Sequence, residues 1–124
     1  MFSKYKAAQI RADVRGELAS MLKAMERRNG YTHSGVVYVW TFPDAGIVKF
    51  GHSVESAMTR REYACWGVRQ YTGRWENPTL ELEVTAAEPA NLERYVCERL
   101  PAPLFRREFF AINTLPTIKE LLEL

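Results

Sequence analysis

Cysteine and histidine are scarce in this chain, at two residues each among 124. Cys65 and Cys97 lie 32 positions apart without a CxxC pair or clustered histidines. That spacing argues against a zinc site and fits free thiols in a reducing, cytoplasmic compartment. Long apolar runs are missing too: none approaches the roughly 20 residues of a membrane-spanning helix. The first segment, MFSKYKAAQIRADVRGEL, is charged and lacks the apolar core of a secretory signal. Nor is there a large excess of one charge. A net charge of +2 is too small to indicate a nucleic-acid partner by itself. What remains is the composition of an ordinary globular domain, long enough for one core and too short for two.

The charge is unevenly spread. Residues 1–30 hold seven Lys/Arg against three acids, and the rest of the chain ten against twelve. From Ser3 to Arg28 the apolar positions Ile10, Val14, Leu18, Leu22 and Met25 recur every three or four residues, which predicts a basic amphipathic helix ending at Asn29-Gly30. Such a helix can pack on the domain, join two copies as a homodimer through residues 3–28, track nucleic acid or hold a protein partner. The boundaries expected are an extension over 1–30 and a domain over 31–124.

The domain is organised around VVYVWTFPDAGIVKFG, residues 36–51. Val36 to Thr41 are all β-branched or aromatic and read as a strand. Pro43, Asp44 and Gly46 supply turn chemistry, and Ile47 to Phe50 form a second apolar run ending on Gly51, so a hairpin is expected. A helix is then predicted from Val54 to Trp66, with Ser53 as its cap. Gly67 to Pro78 reads as a loop with Arg69, Arg74, Tyr71 and Trp75, the composition of a base-stacking platform or of a loop covering a core. Leu80 to Val84 alternates as a half-exposed third strand. Ala87 to Leu100 reads as a helix, with Leu92, Val96 and Leu100 inward and Glu93 at the edge of that face. Thr117 would cap a last helix, Ile118 to Leu124.

The ordered set resembles the GIY-YIG endonuclease superfamily. Val36-Val37-Tyr38 is similar to its first signature. Lys49-Phe50-Gly51 is similar to the second, in the KIG form of a small phage and bacterial branch. Arg60 or Arg61 meets the arginine expected on the first helix, Glu93 the later glutamate, and Arg107-Glu108-Phe109-Phe110 the closing glycine-glutamate-tryptophan-phenylalanine element. The resemblance covers about Gly35 to Ile112. It implies an α+β fold, with a small, mainly antiparallel three-stranded sheet flanked by helices, the N-terminal helix being an addition.

It also implies metal-dependent hydrolysis of phosphodiesters, of DNA first and RNA second. Glu93 would hold Mg²⁺ or Mn²⁺, Arg60 clamp the phosphate (Arg61 second), Tyr38 relay a proton and Lys49 hold phosphate. His52 would serve as base in place of the absent second tyrosine. Arg61, Arg69, Arg74 and Trp75 are the candidate nucleic-acid contacts. The residues also admit plainer roles: Tyr38 as core, Arg60 and Glu93 as surface charges, Glu108 as an arginine's partner. On those roles the chain is a catalytically silent module that binds a protein or nucleic acid, for instance a phage-encoded inhibitor of a host defence system.

Overall fold

The structure, a computed structural model, describes residues 34–124. The basic helix expected over 3–28 and the dimer contact it would make lie outside those residues. Strand β1 (Gly35–Phe42) and strand β2 (Ile47–Ser53) form the expected hairpin. At the turn Gly46 has φ +70, open to glycine without strain, and its N–H donates to Pro43 O at 3.1 Å. A single 3-10 turn (Ala57–Arg60) runs into helix α1 (Arg61–Thr72). Strand β3 (Thr79–Ala86), helix α2 (Pro89–Cys97), strand β4 (Phe109–Ala111), a second 3-10 turn (Ile112–Thr114) and helix α3 (Leu115–Leu121) complete the order.

The class is α+β as expected, but the sheet has four strands rather than three. They run in the order β3-β1-β2-β4, all antiparallel. The fourth strand comes from the Phe109-Phe110 element, three residues that pair with Ile47–Lys49. A run that short carries no alternation to read, and its strand state comes from the partner.

β1 lies between two neighbours and is buried on both faces, which is why it reads as an unbroken apolar run. Val37 and Val39 face the layer of α2 and α3 with Val48, Phe50, Leu82, Leu92, Val96 and Ile118. Val36, Tyr38, Trp40 and Phe42 face α1, packing on Ala64, Cys65, Val68 and Phe109. A register shift at Val39/Trp40 lets Leu80 join the α1 side although Leu82 packs on the other.

Several boundaries differ from those predicted: α2 is Pro89–Cys97, shorter at both ends than Ala87–Leu100, and β3 is longer at both ends than Leu80–Val84. The first helix starts at Ala57 instead of Val54. Ser53 stays in the strand, where its Oγ accepts the Glu55 N–H at 3.1 Å. That helix also runs six residues beyond Trp66, because Gly67 does not break it: the Phe109 ring fills the space a side chain would take, with Cζ 2.7 Å from an added Cβ. Arg69 is therefore helical, and the chain turns at Gly73 instead, with φ +81. The last helix begins at Leu115, with Pro116 in its first turn, so Thr117 is inside it.

Candidate active site

Strand alternation and antiparallel register place Tyr38, opposite Gly51, and Lys49, opposite Trp40, on the same face of the sheet. Both are almost completely buried, at 1% and 2% exposure. Lys49 Nζ donates to Tyr38 Oη at 3.2 Å and to Glu108 Oε2 at 3.1 Å. Its ammonium is 5.2, 5.4 and 5.6 Å from the ring centroids of Tyr38, Tyr63 and Phe109, so aromatic faces carry part of its solvation. Gly51 is what admits this pair. A Cβ there would lie 2.7 Å from both Lys49 Nζ and Tyr38 Oη.

Glu108 is presented by a tight reversal. Arg106 and Arg107, just before it, both have left-handed backbone (φ 51 and 62). The reversal is closed by Leu104 N–H to Phe109 O at 2.7 Å and by the Phe105–Phe109 ring stack at 4.3 Å. Two consecutive left-handed non-glycine residues are costly, and here they sit beside the buried charge pair.

Arg60 enters from the 3-10 turn. That turn is pinned by the Ala57 N–H donating to Glu83 Oε1 at 2.6 Å and by the Ser53–Thr59 hydroxyl contact at 3.0 Å. Glu93 projects from α2 one position after buried Leu92, and its Oε2 meets His52 Nδ1. Its side chain is 13% exposed and that of His52 37%. Tyr38, Lys49, His52, Arg60, Tyr63 and Glu108 together line one open cavity of about 210 Å³.

The electrostatics follow from burial. Burial first, then the Glu108 and Glu93 carboxylates, pushes the Tyr38 phenol above the ordinary tyrosine value, so it is a neutral hydroxyl at physiological pH. Burial pulls Lys49 below the usual lysine range, opposed by Glu108, which favours the ammonium. Since Lys49 donates to Tyr38 Oη, the phenol's own proton is left for another acceptor.

No family model, curated protein or solved structure matches the chain. The resemblance to GIY-YIG nucleases is therefore one of short sequence motifs. Of the five residues expected to do chemistry, Tyr38, Lys49, His52 and Arg60 line one cavity, and Glu93 reaches it through His52. Arg61, Arg69, Arg74 and Trp75 lie outside that cavity, along α1 and the segment after it. Two cavity residues were not among the expected set. Tyr63 follows Arg60 by three positions, a helical spacing that could have pointed to it. Glu108 partners a lysine and not an arginine. Tyr63 adds a second phenol to the wall, from α1.

The fit to a divalent cation is limited. Among the described residues no three His, Cys, Asp or Glu side chains group as metal ligands. Glu108 is engaged by Lys49 and Glu93 by His52. One carboxylate suits Mg²⁺ that takes its other ligands from water and substrate phosphate, and does not suit an all-protein cage.

Proposed function

We propose that the chain hydrolyses phosphodiester bonds of nucleic acid at the Tyr38–Lys49–Arg60 cavity, as a GIY-YIG-like nuclease. The observation that carries the reading is the meeting of cations, phenols and a histidine–carboxylate pair in one hollow, from positions scattered over seventy residues of sequence. A phosphate entering there meets the Arg60 guanidinium, whose donors match two phosphate oxygens. Lys49, fixed between Tyr38 and Glu108, adds a buried positive charge that needs no reorganisation when negative charge develops on the phosphoryl oxygens.

Tyr38, held protonated by its raised pKa, donates a hydrogen bond to a phosphoryl or leaving oxygen and does not act as a base. With Nδ1 held by Glu93, His52 offers Nε2 to a water. A divalent cation on Glu93 would add charge stabilisation at the phosphate oxygens. DNA is the first substrate to try and RNA the second.

The test is nicking of supercoiled plasmid with Mg²⁺ or Mn²⁺ by the full chain and by Glu93→Ala. Cleavage by the first alone supports the reading. Cleavage by neither, in folded proteins, favours the silent binding module.

A further inference from the structure

Two tryptophans, on α1 and the segment after it, stand half in solvent, where folding alone does not explain them. Trp66 lies on the face of α1 opposite the buried Ala64, Cys65 and Val68, at 46% exposure, and Trp75 is 45% exposed. They meet edge-to-face, with ring centroids 5.4 Å apart. The Arg69 guanidinium carbon sits 5.2 Å from the Trp66 centroid. Asn77 Oδ1 accepts from Trp75 Nε1 at 3.3 Å and from Arg61 Nη2 at 3.2 Å, so one amide orients an indole and a guanidinium together. Arg61 directly follows Arg60 of the cavity wall. Contacts thus run from Arg61 through Asn77 to Trp75, Trp66 and Arg69, and Arg61 is joined to the cavity wall by its chain neighbour Arg60.

Charge along this ridge has one dominant sign. Arg60, Arg61, Arg69 and Arg74 stand against Glu62, Glu76 and, beside Arg74 and Trp75, Asp44. Glu76 is occupied, accepting the Asp44 and Ala45 N–H groups of the hairpin turn at 2.9 and 3.0 Å. Exposed rings interleaved with guanidinium groups match a chain that alternates flat bases with phosphates. In a duplex the base faces are covered by their neighbours, so an indole on a protein surface can stack only on an unpaired base. We propose that this ridge binds unpaired nucleic acid leading to the cleavage site, with bases on Trp66 and Trp75 and phosphates on Arg61, Arg69 and Arg74. The substrate class is then single-stranded or flapped nucleic acid. The direction of the track rests on the nuclease reading; the binding surface does not.

The test uses the full chain in EDTA, so that binding is read without hydrolysis. Tryptophan fluorescence is titrated with oligothymidylate, oligouridylate and a blunt duplex of equal length. The third tryptophan, Trp40, is 2% exposed, so a quench reports on the ridge. Quenching by single strands is expected, with the duplex at least about ten-fold weaker. Trp66→Ala and Trp75→Ala should each lower affinity about five-fold or more, from the loss of a stacked base. Asn77→Ala, which frees both Trp75 and Arg61, should do the same should a tryptophan variant unfold. The thymidine and uridine arms separate DNA from RNA. Equal affinity for duplex, absence of binding, or single-strand binding unchanged in folded tryptophan and Asn77 variants would each overturn the ridge. Plasmid cleavage alongside any of those leaves the nuclease reading standing. Single-strand binding through the tryptophans without cleavage under Mg²⁺ or Mn²⁺ supports the ridge and overturns the nuclease.

Discussion

Lys49 and Glu108, 59 residues apart, form a charge pair at 3.1 Å in which the lysine side chain is 2% exposed and the glutamate 30%. The asymmetry matters, because a stranded Glu108 can turn to water whereas a stranded Lys49 cannot. Removing the acid is therefore predicted to cost more than removing the lysine. Glu108→Ala should lose about 3 kcal/mol in urea denaturation, the range for breaking a buried pair. Lys49→Met, which fills the same space with an apolar chain, should be neutral or stabilising and yet inactive.

The same lysine gives a pH prediction. Its pKa is lower in the folded chain than the ordinary 10.5. Between those two values the unfolded chain binds more protons, so this group makes stability rise with pH. Wild type should gain on Lys49→Met as pH rises through the lowered folded pKa towards 10.5, with the gap unchanged below that range. A constant gap across paired urea titrations would contradict a perturbed Lys49.

Gly51→Ala should disable the site while leaving the rest of the sheet in place. The added methyl collides with the Lys49 ammonium and the Tyr38 hydroxyl, both 2.7 Å from its ideal position. A loss of about 1–3 kcal/mol is expected from overpacking, with cleavage lost at temperatures where the variant is folded. Unchanged activity would show that the Lys49–Tyr38 contact is dispensable.

The hairpin, its Gly46 turn and the position of Glu93 beside buried Leu92 were legible in the sequence, because each depends on local chemistry or on helical period. The continuation of α1 through Gly67 was not, since what permits it is the ring of Phe109, more than forty residues away. β4 was hidden for a related reason: three residues become a strand only by pairing with Ile47–Lys49. Lys49 itself shows the limit most clearly. A lysine inside an apolar run reads as a surface or phosphate-holding cation, and only the long-range approach of Glu108 makes its burial tolerable.

Arg107→Gly offers a test of the reversal that presents Glu108. Left-handed backbone at φ 62 costs an ordinary L-residue about 1–2 kcal/mol. Glycine relieves that, so the melting temperature should rise. Activity falling at the same time would place the Arg107 side chain on the substrate, and unchanged activity would leave it a purely conformational position.

The most direct test of the central claim is single-turnover cleavage of an end-labelled strand by wild type, Tyr38→Phe and Arg60→Ala, with melting curves alongside. The account predicts cleavage by wild type and rates lower by about 10²–10³ for each variant, the loss expected for one preorganised donor, with folding retained. Equal rates in all three proteins, or no cleavage by a folded wild type, would contradict it.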